Sequence, residues 1–486
     1  MPPSIALAFF LGLILLLFAF ERRMNPDVSP ALWIPFLWMF FIGTRFPSEW
    51  LDMGGASMVH VDDYLDGSPI DRAVFLVLFV AAFAVLIRRR LSWLPLASAN
   101  FWIAAFFAYG LASIGWSDFP WVALKRFAKV FEHVLMVLVV LTDPSAARAM
   151  DALLRRFLAV GVLLSVLFLK YYPEYGRAFE VWTGTAINTG ATLDKNALGH
   201  ICVIGAVFYS SSLLSREHRA IAQPIKGRTL LDIGMLAAVC WLLDLANAKT
   251  ALVCSILGAF IVAVLSRTRL GRSPKAVVAC ALSLVVLVVS LEATFDISKS
   301  GIEALGRDAT LTDRVFVWDD VLAVPNNALF GTGFESFWLG PRAEQLWQKY
   351  WWRPNQAHNG YIETYINLGA VGLLLLLAMI VAASFRALQA MKNVDPFGVA
   401  RFAFIVVIAI LNYTDATFKA LHILYFTFLL MAVRPVPDKA PALAVPRTDG
   451  DARGGQARND GPSYPTARRA AGELRSVDHA QRTGRR

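Results

Sequence analysis

Ala357-His358-Asn359-Gly360-Tyr361-Ile362-Glu363-Thr364-Tyr365-Ile366-Asn367-Leu368-Gly369-Ala370-Val371-Gly372, running on into Leu373-Leu374-Leu375-Leu376-Leu377, is the stretch whose reading decides the fold. Its second half opens an apolar run that continues to residue 385, and the whole window 362–385 exceeds the roughly 20 residues needed to cross a hydrocarbon core about 30 Å thick. The segment therefore predicts a membrane helix entered from an aqueous loop. Its first half sets a histidine, an asparagine and a glutamate at the entry edge. Polar groups at that depth are costly, and they mark functional positions more often than polar groups elsewhere.

The same apolar signature recurs outward along the chain. Of the 486 residues, 57% are hydrophobic, and mean hydropathy is +0.53. Apolar windows fall at 4–20, 30–46, 71–87, 99–115, 121–141, 152–170, 196–214, 229–246, 250–266, 275–291, 362–385, 399–415 and 419–434. The reading is an all-α, polytopic integral membrane protein of about 12 or 13 transmembrane helices. No small-residue cleavage site follows the first window, and Glu21-Arg22-Arg23 come straight after it, so it reads as an anchor.

Charge gives the orientation. Arg22-Arg23, Arg88 to Arg90, Arg155-Arg156, Arg216 to Arg228, Arg267 to Lys275 and Arg386 to Arg401 are read as short basic loops that alternate with loops poor in lysine and arginine. The basic set is expected in the cytoplasm. The acidic loop of Glu49, Asp52, Asp62 and Asp63, and the long stretch 292–358, then face out. Most of the net charge of +10 is accounted for by topology and tail, so a nucleic-acid partner is not indicated. Residues 435–486 are rich in Pro, Arg, Gly, Asp and Ser and poor in large apolar residues. They read as a disordered cytoplasmic tail behind a membrane domain of 1–434, with arginines suited to anionic membrane lipid. Cys202, Cys240, Cys254 and Cys280 each lie in an apolar run and read as packing residues, with no metal spacing or disulfide framework.

In the outward stretch, 302–305 and 322–329 read as short amphipathic helices at the membrane surface. Trp338, Trp347, Tyr350, Trp351 and Trp352 read as interfacial anchors that also suit stacking on sugar rings. Thr310-Leu311-Thr312-Asp313-Arg314 sets an arginine among hydroxyls, a combination that suits phosphate oxygens and also suits a loop pair with Asp313 or Asp319. Gly331 and Gly333 permit a tight turn. His358, one helical turn before Glu363, is able to move a proton near neutral pH. Lys249 follows Asn247-Ala248 at a junction of two spans, where it reads as a ligand for anionic groups or as a snorkelling side chain. Lys195-Asn196 enters the span 196–214, and Asn196 suits a helix cap. In 121–141, Lys125, Arg126, Lys129, Glu132 and His133 share helical faces, which implies a water-filled or protein-lined cavity or a Lys–Glu network. Such charge is expected to gather at the outer face.

In order and type, these motifs resemble those of the O-antigen ligase and exopolysaccharide polymerase superfamily. The segments concerned are Gly190 to His200, Asn247 to Thr250, Thr310 to Trp318 with Gly331 to Trp338, and Ala357 to Tyr365. The resemblance is most specific over 235–385. It is nearest the exopolysaccharide-polymerase branch, because Lys249-Thr250 and the Thr-Leu-Thr-x-Arg form are typical there. Asp313 departs from the glycine usual before the arginine, and Lys249 replaces the arginine common in ligases. The resemblance implies a glycosyltransferase of the bacterial inner membrane with its active site facing the periplasm. It would act without metal or cofactor on oligosaccharide carried by undecaprenyl pyrophosphate and invert the anomeric centre. His358 and Arg314 would be catalytic. Arg126, Lys129, Lys195, Asn196, Lys249, Thr312, Asn359 and Glu363 would bind substrate. A flippase and a chain-length co-polymerase of the same pathway would be partners. The alternatives are a ligase acting on lipid A core or protein, and a lipid-oligosaccharide flippase. A flippase should show charge through both leaflets and an internal repeat. Asp62-Asp63 and Asp319-Asp320 lack the Asp-x-Asp spacing of nucleotide-sugar sites, which favours a lipid-linked donor.

Overall fold

Apolar runs leave their backbone groups no partner but each other, and the chain answers with helices throughout. The computed structural model describes residues 1–51, 68–180, 184–273, 275–278 and 314–434. In chain order the helices are α1 (Pro3–Met24), α2 (Trp33–Gly43), α3 (Pro47–Leu51), α4 (Pro69–Arg88), α5 (Trp93–Ala99), α6 (Phe101–Ala112), α7 (Pro120–Leu141), α8 (Ala146–Tyr171) and α9 (Pro173–Gly176). After a hairpin come α10 (Lys195–Leu214), α11 (Arg216–Arg219), α12 (Arg228–Ala246), α13 (Lys249–Arg267), α14 (Arg314–Ala323), α15 (Pro341–Lys349), α16 (Gly360–Lys392), α17 (Gly398–Thr414) and α18 (Ile423–Ala432). Seven of these, α1, α4, α8, α10, α12, α13 and α16, are long and apolar enough to cross a membrane. An eighth span results if α5 and the α6 segment, bent by 107°, count as one. The protein is a multi-pass membrane protein. Each apolar window of the sequence lands on a helix except 275–291, most of which lies outside the described residues, as do 302–305 and the tail 435–486.

Three features depart from the sequence reading. A two-stranded antiparallel hairpin, β1 (Arg177–Phe179) and β2 (Ala186–Asn188), pairs Arg177 with Asn188 between α9 and α10. Of residues 322–329 only Leu322 and Ala323 are helical, as the end of α14, and 324–329 are not. Pro325 disfavours helical backbone at Val324, and α14 stops at Ala323. Arg155 and Arg156 are not in a loop: they sit inside α8, buried.

The helices pack as a bundle in which α10 lies against α12, α13 and α17, and α16 against α17 and α6. On the other flank α8 takes α1, and α7 lies against α4 and α18. The feature that positions the site is a break in α16. Gly369 leaves helical geometry at φ +65° and ψ −169°. The carbonyls and amides freed there are taken up by the loop before α15. Thr332 and Gly333 amides donate to the Ile366 and Asn367 carbonyls at 3.1 and 2.9 Å, and the Ala370 amide donates to the Ala328 carbonyl at 2.8 Å. The approach is so close that a Cβ on Gly369 would lie 2.2 Å from the Leu329 backbone, and one on Gly331 2.4 Å from that of Asn367. Both positions also have positive φ, so glycine is required twice over. Broken membrane helices are tolerated only where protein re-satisfies the backbone, as this loop does.

Candidate active site

The broken half-helix 360–368 carries the motif with which the sequence reading began. Asn359 caps α16, its Oδ1 accepting from the Tyr361 and Ile362 amides at 3.0 and 3.2 Å. Glu363 is committed on all sides. It accepts from Trp338 Nε1 at 3.0 and 3.1 Å, from the Ala357 amide, and from Asn367 Nδ2 at 3.4 Å. Trp338 is therefore a buried strut rather than a membrane-surface anchor. Trp351 is exposed. Glu363 and Asn359 together pin both ends of the tight turn that presents His358, whose own backbone is left-handed at φ +51°. A side chain other than glycine is held there only when its surroundings over-determine it.

α14 closes the turn from the other side. Trp318 Nε1 donates to the Ala357 carbonyl at 2.7 Å. Val317 and Val321 pack with Phe337, Trp338, Ala357 and Ile366. The arginine motif and the histidine motif, forty residues apart in sequence, thus meet in one cluster. The Arg314 backbone opens α14 one turn before Trp318. Its side chain, with Thr312 and Asp313, lies outside the described residues.

His358 faces a carboxylate that the sequence reading missed. Its Nδ1 is 3.9 Å from Asp415 Oδ1, and His200 Nε2 is 3.3 Å from Asp415 Oδ2. His422 lies against His200, ring centroids 5.2 Å apart and tilted by 59°, and caps α18 by accepting the Leu424 amide on Nδ1 at 3.2 Å. Burial by itself would raise the Asp415 pKa. The hydrogen bonds from His200 and His358, with the charge of the histidines around it, outweigh that and hold the carboxyl well below the usual range. The donor atoms of His200, Asp415 and His422 lie within 4.8 Å of one another. The signal that finds Asp415 is the one already applied at His358: Asn412 and Asp415 are polar groups at the mouth of an apolar run. The glycine of Asn359-Gly360 is also fixed here, since a Cβ on Gly360 would lie 1.9 Å from Asn412 Oδ1.

Beside this cluster lies a cavity of about 700 Å³, open to solvent. Gln356 and Gly360 on either side of His358, and Ala416 next to Asp415, line it. So do Arg126 and Lys419. Arg126 donates to the Glu335 carbonyl, and Lys419 Nζ donates to Gln356 Oε1 at 2.6 Å. Lys419 and Gln356 have no motif to announce them, and Glu335 lies within the Gly331–Trp338 segment without being singled out there. Lys129 sits a turn deeper on α7, half-buried beside Arg126, Glu335 and Glu132. It is not among the residues lining the cavity. His133 is deeper still and accepts from Trp38 Nε1 at 3.1 Å.

Lys195 and Lys249 open α10 and α13, whose first turns touch: a Cβ on Gly199 would lie 2.8 Å from that of Ala251. Lys195 pairs with Glu180 at 2.7 Å. The cap of α10 is Asp194, accepting from the Asn196 and Ala197 amides at 2.7 and 3.0 Å, so the capping role expected of Asn196 belongs to its neighbour. Lys249 is half-buried and has no ion-pair partner among the described residues.

Buried charge is not confined to this end of the bundle, contrary to expectation. Near the N-terminus of α8, Arg155 bonds Asp151, Asp232 and Ser212, Arg156 bonds Glu21, and His218 bonds Ser211 and approaches Asp151 at 3.3 Å.

A predominantly helical, multi-pass membrane protein with a helix broken beside a His–Asp cluster and a cation-lined cavity is the class that fold and site define. Residues 233–377 match the family model for O-antigen ligase, a span that holds Lys249, Arg314, His358, Asn359 and Glu363. The chain is also 25% identical over 364 residues to the exopolysaccharide production protein ExoQ of Rhizobium meliloti (strain 1021), covering 69% of this chain and 80% of that protein. The resemblance carried by the motifs is thus found independently along most of the chain.

Proposed function

We propose that this protein is a membrane glycosyltransferase that joins undecaprenyl-pyrophosphate-linked oligosaccharides during exopolysaccharide synthesis, with His358 as general base. The observation that supports this most is the meeting of His358 and Asp415 at the edge of a cavity lined by Arg126 and Lys419. The acceptor hydroxyl oxygen attacks the anomeric carbon. The bond from that carbon to the pyrophosphate oxygen breaks, the electron pair leaves with the pyrophosphate, and the hydroxyl proton passes to His358. Direct displacement inverts the anomeric centre. Asp415, tethered by His200, orients His358 and stabilises the imidazolium as it forms. Arg314, Lys249, Arg126 and Lys419 are placed to bear the charge that grows on the leaving group. Lys129 and Lys195 serve as outlying cations for the donor. Glu363 and Asn359 act by fixing the turn.

The chemistry needs no metal in this reading. His422 Nδ1 is spent on the Leu424 amide and Asp415 on two histidines, so the cluster is arranged to hold protons. Polymerisation is favoured over ligation by similarity to an exopolysaccharide production protein. The site faces the periplasm of the inner membrane, since the arginine-rich helix ends gather at the opposite end of the bundle. A flippase and chain-length co-polymerase are the expected pathway partners.

Purified protein incubated with its lipid-linked repeat unit decides the reaction. Ladders of increasing length are expected. Transfer to lipid A core would make it a ligase, and unchanged donor would reject transferase chemistry. For topology, single cysteines at Gln345 and Ala220, both exposed, are expected to label from opposite sides, and labelling from the same side would overturn the orientation.

A further inference from the structure

The basic end of the bundle holds a second, smaller cavity between α1, α8 and α12, open to its surroundings. Its walls are apolar: Leu17 and Phe18 from α1, Leu231 and Met235 from α12. Its polar lining includes Glu21, Arg155 and Arg156. The two arginines differ. Arg155 spends Nε, Nη1 and Nη2 on Asp151, Asp232 and Ser212. Arg156 gives Nε to Glu21 Oε2 at 2.7 Å and lays its guanidinium 4.8 Å from the centre of the Trp33 ring. Its Nη1 is buried with no hydrogen-bond partner among the described residues, although only 7% of the residue is exposed.

A buried guanidinium nitrogen without an acceptor is costly, and a phosphate oxygen is the acceptor that an arginine fork fits best. Leu17, Phe18 and Phe20 are only half-buried, so the cavity opens sideways at the bundle surface where a membrane's acyl chains run. Arg22 and Arg23 follow Glu21 on α1, exposed, and add positive charge at the rim. We infer that this cavity binds an anionic phospholipid, its phosphate on Arg156 Nη1 and an acyl chain along Leu17, Phe18 and Leu231. His200 and Ser212 lie on the same helix twelve residues apart, which separates the two ends of the bundle by roughly 18 Å. The lipid site is therefore distinct from the His358 site and does not depend on what that site catalyses.

The test is thermal unfolding of the full-length protein in detergent with added lipid. Phosphatidylglycerol is expected to raise the unfolding temperature, and phosphatidylcholine or millimolar inorganic phosphate to leave it unmoved. The double variant Glu21→Gln/Arg156→Gln removes both charges together and should unfold at the lipid-free wild-type temperature while losing the response to phosphatidylglycerol. Leu17→Trp keeps the ion pair, fills the cavity, and should lose the response too, which keeps the test open if the double variant fails to fold. A response that persists in these variants would place lipid binding elsewhere, such as the arginines of 435–486, and overturn the site. An equal response to phosphatidylcholine would remove the anionic requirement, and an equal response to inorganic phosphate would make the ligand a free anion.

Discussion

The two ends of the bundle handle buried charge in opposite ways. At the basic end, Asp151, Arg155 and Asp232 bond one another through most of their polar atoms, with Ser212 and His218 completing the shell. At the other end the polar side chains bond mainly to backbone groups of a turn and of loops around a cavity. Asn359 caps, Glu363 clamps a turn, a loop fills the break at Gly369, and Arg126 and Lys419 remain beside a cavity. A closed network holds helices in register at a site where removing one partner leaves an unpaired ion. An open one keeps charge available for something that arrives. The first should answer mutation with lost stability and the second with lost rate.

The sharpest way to break that contrast is His358→Ala. A general base contributes roughly 10²–10⁴-fold, so polymer formation should fall by that factor while the protein folds and still binds lipid-linked donor. His358→Gln keeps hydrogen bonding without titrating near neutrality and should be nearly as poor. Near-normal polymer from the glutamine variant would leave His358 a positioning residue.

At the closed end, Asp232→Ala should cost about 3–5 kcal/mol of stability, because Arg155 keeps its charge and loses its bidentate partner. Turnover per folded molecule should stay near wild type. A rate defect without a change in unfolding would mean that the network takes part in function and that the contrast is wrong.

Arg314→Ala and Lys249→Ala come next, each expected to reduce rate by about 10²–10³-fold without loss of folded protein, the scale of removing one charge-stabilising donor. Arg314→Lys should stay impaired, since an ammonium cannot supply the planar fork. Full activity in Arg314→Ala would take it out of the site.

What the sequence made legible follows the same division. Apolar windows forecast where the helices fall, and of the 12 or 13 spans read from them, seven, or eight with the bent pair, are long and apolar enough to cross a membrane among the described residues. The His358 turn and the Arg314 motif were legible as polar groups at membrane edges. Asp415 carries the same edge signal and Glu335 lies in a motif segment, but their meeting with His358 and Lys419 is not legible, because only the bundle brings these separate segments together. The network at Arg155 was misread as a loop because two adjacent arginines in an apolar chain look like a topology marker. Only the structure supplies Glu21 and Asp232 from other helices to neutralise them. The broken helix is hidden for a related reason: Gly369 lies inside one apolar window, 362–385, with nothing at that position to mark a break, and its partner loop is about forty residues upstream.

Asp415 gives a pH test of moderate size. Its carboxyl is held well below the ordinary carboxylate range, so it stays ionised as pH falls from 8 to 5. The stability it contributes is present above the unfolded-state value near 4 and is lost only as pH drops through its own, lower value. A loss of rate on acidification over that range should therefore leave the fold intact. Asp415→Asn removes the charge that stabilises the imidazolium formed in the reaction, so it should slow the reaction about tenfold or more. An unchanged rate in that variant would uncouple Asp415 from the base.

The smallest expected effect is none at all, and it tests the open end most directly. His200, Asp415 and His422 bring their donor atoms within 4.8 Å of one another, a spacing compatible with a bound divalent ion. If this end is built to hold protons, those groups are already engaged. His200 and His358 share the Asp415 carboxylate, and His422 offers Nδ1 to the Leu424 amide, which leaves its proton on Nε2 and removes that nitrogen as a ligand. A metal would have to displace the Leu424 amide or the proton and compete for the carboxylate that steadies His358. Chelation with excess EDTA, followed by metal analysis of the protein, should find no stoichiometric metal and an unchanged rate. His422→Gln, which can still cap α18 through its side-chain oxygen, should retain most of the activity. Loss of rate on chelation, restored by one divalent ion, would turn the cluster into a metal centre. Asp415 would then be a ligand rather than the partner of the base, and the proton would need another acceptor.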